Sequence, residues 1–142
     1  MKFLPIPKDS IESLWEHIEP ILNKAVSLTP ERIDTANVKQ DALKGGYLLW
    51  IVYEEIKENQ PVIIAVITTR LIEYPKTKAL AMDFVAGSRM KEWLPIVMPI
   101  LEDIAKTNHC THLEAYGRRA WSKYLKDWNQ RHIQYEKRID YE

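Results

Sequence analysis

The chain has 142 residues, 46% apolar and 28% charged, which suits one globular domain spanning 1–142 that buries its own core. Lys plus Arg and Asp plus Glu number 20 each, a balance that argues against nucleic-acid binding as the main role while leaving room for a local basic patch. A single cysteine, Cys110, excludes an internal disulfide; with no apolar run of the ~18 residues a bilayer needs and no secretion pattern in residues 1–8, the expectation is a cytoplasmic protein without membrane contact.

In chain order, Asp9 or Ser10 is positioned to cap a first helix, and Glu12 has the spacing of a capping box. Ile11, Leu14, Trp15, Ile18, Ile21 and Leu22 recur at helical spacing as one apolar stripe. Pro20 inside that stripe predicts a kink or a new turn. A second helix is predicted from Thr29-Pro30-Glu31, a capping residue followed by proline and an acid. It turns Ile33, Ala36 and Leu43 inward and stops at Gly45-Gly46.

The period then changes. Residues 47–54 are aromatic and β-branched and read as a strand. After a polar turn, residues 61–74 form a longer strand, continuously apolar over 62–67 and therefore covered on both faces. Residues 79–85 make a third strand, so short turns give an antiparallel meander. Gly87-Ser88 opens a helix with Trp93, Leu94, Val97, Met98, Leu101, Ile104 and Ala105 on one broad face. Pro99 inside it would cost about 3 kcal/mol in an unbroken helix, which predicts a kinked or restarted one. Residues 112–116 read as a fourth strand, 119–128 as a short helix, and the alternation of Ile133, Tyr135, Lys137 and Ile139 as a last strand. The crossover through residues 90–106 requires parallel pairing of its two strands. The predicted class is therefore α/β, a mixed and mostly antiparallel sheet with helices on both faces.

Four segments carry a resemblance: Gly46-Tyr47-Leu48-Leu49-Trp50-Ile51-Val52; Ile67-Thr68-Thr69-Arg70 with Tyr74-Pro75; Gly87 through Trp93; and His112-Leu113-Glu114-Ala115-Tyr116-Gly117-Arg118-Arg119-Ala120-Trp121. Their order is similar to the GNAT acetyltransferase superfamily, in which two helices precede a three-strand meander that leads into the cofactor-binding helix. Within it the chain most resembles small GNAT-like proteins of tailed bacteriophages and prophages. The resemblance implies acetyl-CoA as cofactor and an amine of a small molecule or protein as acceptor. It also implies a phage or host protein as a possible partner, and a bacterial cytoplasm or virion as the location.

In that superfamily, backbone amides between the third strand and its helix hold the cofactor pyrophosphate, since a helix start offers unpaired N–H groups and a positive dipole end. By position this implies Val85, Gly87, Ser88, Arg89 and Met90. The usual Arg/Gln-x-x-Gly-x-Gly/Ala pattern is only partly present: Asp83-Phe84-Val85-Ala86-Gly87-Ser88-Arg89-Met90 keeps one glycine and lacks the leading Arg or Gln. Gly87 reads equally as a strand-to-helix turn needing a positive φ. The chemistry asks for a base to take the amine proton and an acid to protonate the departing thiolate. Tyr124 is the candidate acid, and Glu54 and Glu114 are candidate bases; packing for the tyrosine and solvation for the glutamates are the plain alternatives.

Arg118, Arg119 and Trp121 follow a strand end, where open α/β sheets place ligands, and could hold an anion. A solvated helix start beside a core tryptophan is the other reading. His109, Cys110 and His112 are too few for a zinc site, so no metal is expected. Two functions remain: an acetyl-CoA-dependent N-acetyltransferase, or a non-catalytic structural or interaction protein of a phage on the same fold, as a virion component or a host-factor binder.

Overall fold

A computed structural model describes residues 1–117 and 119–141, apart from the side chains of Arg119 and Ala120. Five strands lie in the order β1 (Lys2–Pro5), β2 (Leu48–Lys57), β3 (Gln60–Glu73), β4 (Lys78–Gly87) and β5 (His112–Ala115). Three helices pack on this sheet: α1 (Lys8–Val26), α2 (Thr35–Leu43) and α3 (Met90–Thr107). The first four strands pair antiparallel, and α3 carries the chain over to β5, which pairs parallel to β4. The expected meander, crossover and two-faced helix cover are all present.

Alternation along the strands builds two cores. Trp50, Val52, Ala65, Ile67, Leu80 and Met82 face α3, where they meet Trp93, Leu94, Val97 and Leu101. Leu49 and Val66 face α1 and α2, against Ile11, Ile18, Leu22, Val38 and Ala42. Each buried side chain of this size contributes roughly 1.5–3 kcal/mol. The buried Trp50 stacks on Phe3 at 4.5 Å, and its indole N–H donates to Thr69 Oγ1 at 2.8 Å. That bond satisfies the one polar atom this large ring brings inside.

Several expectations are corrected. The N-terminal strand β1 has no counterpart in the sequence reading; Phe3 is its only buried position, too short a pattern to register. It ends where Ile6 N–H bonds Leu49 O and Pro7, having no N–H, cannot continue the ladder. Pro7 takes the N-cap position of α1 without a side-chain cap, so Asp9 and Ser10 lie inside the helix. Glu12 instead accepts from Lys39 Nζ on α2 at 2.9 Å. The second helix starts at Thr35, because Asp34 and Asn37 form a reciprocal capping box of 2.8 and 3.0 Å. Thr29 heads only a single turn, and Ala36 is exposed while Val38 and Ala42 are buried.

Both long helices run through their prolines: Pro20 in α1, and Pro95 and Pro99 in α3. All three are exposed, so the carbonyls they leave unbonded lie on the solvent side. The segment expected as a helix over 119–128 is a 3-10 turn, Arg119–Lys123, followed by irregular turns to Trp128. No strand forms at 133–139. Residues 129–141 are all exposed there, and Arg32 forms an ion pair with Glu136.

Candidate functional site

The site is built around an irregularity in β4. Ile67 pairs with Val85 and Thr69 with Met82, so Asp83 and Phe84 stand opposite the single residue Thr68. This is a β-bulge, which bends its strand and increases the local twist. The Phe84 amide, displaced from the ladder, donates to Thr68 Oγ1 at 3.0 Å. Alternation is broken as well: Met82 and Val85 both belong to the α3 side, while Phe84 turns to the α1 side and meets Tyr47 edge-on at 6.2 Å.

On its other edge, β4 pairs with β5 only as far as Met82 and Ala115. One longer contact follows, Tyr116 N–H to Met82 O at 3.4 Å. Residues 83–87 therefore continue with β3 on one side and no strand partner on the other among the described residues. The bulge and the end of β4–β5 pairing leave an open strand edge that leads to the start of α3.

At that start, Gly87 has φ +135° and Arg89 has φ +60°. A Cβ on Gly87 would collide with Ile64 O and the Ala65 backbone, so the glycine is required by the close approach of β3. Ser88 N–H donates to Ile64 O at 3.1 Å, and Ser88 O accepts from the Trp93 indole at 2.9 Å. Arg89 O accepts from the amides of Glu92 and Trp93. The amides of Arg89, Met90 and Lys91 find no acceptor among the described residues. Of the predicted cofactor residues, Gly87 and Ser88 thus serve the β3 junction, Val85 and Met90 pack partly buried on the α3-side core, and Met90 also offers a free N–H.

The Arg89 side chain is not free. Its Nη1 donates to Glu54 Oε2 at 2.6 Å, and Nε and Nη2 grip Glu92 at 2.5 and 3.2 Å. These bonds, Glu92 first and Glu54 second, raise the guanidinium pKa further, and Arg89 in turn holds the Glu92 carboxyl below its ordinary range. Glu54, expected as a base, is brought to the start of α3 as a counter-ion of Arg89.

Glu114 lies on β5 opposite Ala81, one residue before the pairing ends. The Tyr74 hydroxyl donates to both its oxygens at 2.9 and 2.8 Å, and His112 Nε2 lies 2.7 Å from Oε2. Thr111 Oγ1 lies 2.8 Å from His112 Nδ1, and the Tyr74 and His112 rings stack at 6.3 Å. The bond to Glu114 raises the Tyr74 pKa, since it favours the neutral phenol. Nearby, Arg70 clasps the largely buried Asp83 through bonds of 2.5 and 3.1 Å. Burial, and then Asp83, raises the Tyr47 pKa.

Tyr124 is half-buried against the α3-side core together with Leu125 and Trp128, with Lys123 Nζ 5.1 Å from its ring centre. Trp121 is half-buried and lies over Gly117. Arg118 and the Arg119 side chain fall outside the described residues. Among the described residues no three His, Cys, Asp or Glu side chains gather as metal ligands, and no helix is long and apolar enough to cross a membrane. Two surface hollows line the C-terminal segment, at Glu31 with 136–138 and at 130–133 with Tyr135, and neither is lined by residues of the β4–α3 junction.

Sequence reasoning missed Tyr74, the Arg70–Asp83 pair and the free amide of Lys91. The pairings of Tyr74 with Glu114 and of Arg70 with Asp83 depend on strand register. The Lys91 amide depends on where the helix starts.

No protein-family model matches the chain, and no curated protein matches it in sequence. Solved structures do match in fold. A GNAT family acetyltransferase of Staphylococcus aureus superposes with a TM-score of 0.61 at 14% identity, covering 97% of this chain and 98% of that one. Glucosamine-6-phosphate N-acetyltransferase from Arabidopsis thaliana gives 0.63 at 17% identity, covering 98% of each chain. An aminoglycoside acetyltransferase from an uncultured soil metagenomic sample, in complex with sisomicin, gives 0.63 at 8% identity, covering 98% of this chain and 96% of that one. The chain has the fold of the GNAT acetyltransferases.

Proposed function

We propose that the chain is an acyl-CoA-dependent N-acetyltransferase acting on an amine of a small molecule or a protein. The observation that supports it most is the break in the sheet: β4 runs five residues past its last pair with β5 and ends at a helix whose first amides have no acceptor among the described residues. Such a helix start suits a pyrophosphate, and an open strand edge suits an extended chain carrying amide groups. The amides of Arg89, Met90 and Lys91 would hold the phosphates and residues 83–87 the arm. Bound acetyl-CoA would supply the thioester that an amine attacks.

In this reading Glu114 accepts the amine proton. Its hydrogen bonds from Tyr74 and His112 fix the orientation of the carboxylate. Tyr124, packed against the α3-side core, returns a proton to the thiolate. The Arg118–Trp121 segment would contact the acceptor or an anion on it.

Titration calorimetry with acetyl-CoA tests the proposal, with binding and release of heat expected. No heat at high protein concentration overturns it and leaves the non-catalytic reading, a phage or host protein binder. That second reading has one observation of its own: Arg89, at the N-cap of α3, is already matched by two carboxylates. If binding occurs, Tyr124→Phe and Glu114→Gln should each lower kcat about 100-fold or more while sparing acetyl-CoA affinity. Unchanged turnover removes that residue from the mechanism.

A further inference from the structure

The start of α3 carries a charge arrangement that opposes its proposed ligand, and this inference rests on the cofactor reading above. Arg89 is the last residue before α3, so its side chain starts beside the three free amides. Glu92 holds it through two parallel bonds from Nε and Nη2, and both residues belong to the same helix start. Glu54 holds it through one bond to Nη1 from a different element, β2. Two carboxylates against one guanidinium leave these three side chains with a net charge of −1. A carboxylate on Glu92 in the first turn complements the helix dipole. Glu54 has no such role, and its monodentate contact is the weaker grip.

We infer that Glu54 is a counter-ion gate on Arg89, so that a phosphate of acyl-CoA binds by taking the place of the Glu54 carboxylate on Nη1. An incoming phosphate has the same hydrogen-bonding demand as the carboxylate and more charge. Glu92 moves with Arg89 and stays bound, which keeps the guanidinium aimed at the exchange. The gate acts only on ligands that bring phosphate. A thioester without phosphate, such as acetyl-pantetheine, gains nothing from the exchange.

The test is calorimetry of wild type, Glu54→Gln, Arg89→Gln and the double variant with acetyl-CoA and with acetyl-pantetheine. Both side chains are exposed enough for the variants to keep the fold, which circular dichroism verifies. Glu54→Gln should bind acetyl-CoA about fivefold more tightly, the size of an exposed ion pair. Arg89→Gln should bind it more weakly, and adding Glu54→Gln to Arg89→Gln should restore little. Acetyl-pantetheine affinity should stay unchanged in all four. If wild type binds acetyl-CoA and Glu54→Gln binds equally or less well, the gate is overturned and the cofactor site stands. An equal gain for acetyl-pantetheine also overturns it. If none of the four binds acetyl-CoA, the gate and the cofactor reading fall together.

Discussion

Between β1 and β5 the periodic apolar residues find a face to bury, whereas after Ala115 residues of the same kind stay partly or wholly in water. Ile18 and Leu22 of α1 are fully buried, while Ile133, Tyr135, Ile139 and Tyr141 are 62–90% exposed. The difference does not lie in the residues. A sheet has two faces, and α1 with α2 and α3 already occupy them. An alternating segment that arrives last needs an edge, and β5 offers only four residues of one. Lys137 at an alternate position and the Arg32–Glu136 ion pair further oppose docking there. Period alone stabilises nothing; a complementary surface must be free to receive it.

The sharpest way to break this comparison is to insert a side chain where the first region has no space. Gly87→Val combines a backbone conformation that valine disfavours with a collision against β3, and should cost about 3–5 kcal/mol. A fall in Tm of about 10 °C or more by calorimetry is the expected reading. A Gly87 variant that folded normally and only lost acetyl-CoA would contradict this account of the glycine.

Smaller effects come from orphaning one buried donor. Thr69→Val removes the acceptor of the Trp50 indole, and Thr68→Val that of the Phe84 amide in the bulge. Each should cost about 1–3 kcal/mol in urea unfolding. If the proposed cofactor site is right, only Thr68→Val should also weaken acetyl-CoA binding, because only it disturbs the bulge beside the open edge of β4.

A third measurement concerns pH. The Tyr74 pKa is raised in the folded chain, so the stability its bond to Glu114 contributes is complete below the ordinary tyrosine value of about 10. It is lost as the pH rises through the higher folded value. Spectrophotometric titration should show late-ionising phenols, and Tyr74→Phe should remove one of them; an unchanged late phase would count against the bond.

The smallest effect sharpens the comparison from the other side. Among the described residues, truncation after Asn129 removes only exposed ones and one exposed ion pair. Stability should change by less than about 0.5 kcal/mol, and a larger loss would mean the segment docks after all.

The sequence was most readable where a long pattern met clear punctuation. The aromatic and β-branched runs and the turns around Asn59 and Pro75 marked β2 to β4, and the broad apolar face marked α3 through two prolines. It was least readable where hydrogen-bond partners compete. Thr29-Pro30 is a good helix start in isolation, yet Asp34 with Asn37 makes a better one. Of the candidate site, the β4–α3 junction and Glu114 were visible from chain order, but their partners were not. Arg89 meets Glu54 across 35 residues and Tyr74 meets Glu114 across 40.

By itself, then, the sequence determined the class of fold, the meander, the parallel crossover and the position of the strand–helix junction, because these follow from local period and from chain geometry. Only the tertiary structure decided the bulge at Asp83 and Phe84, the open edge beyond Met82, the pairing of Arg89 with Glu54 and the exposed C-terminal segment. Those depend on which groups meet in space and on which surfaces are already taken, and no local pattern records either.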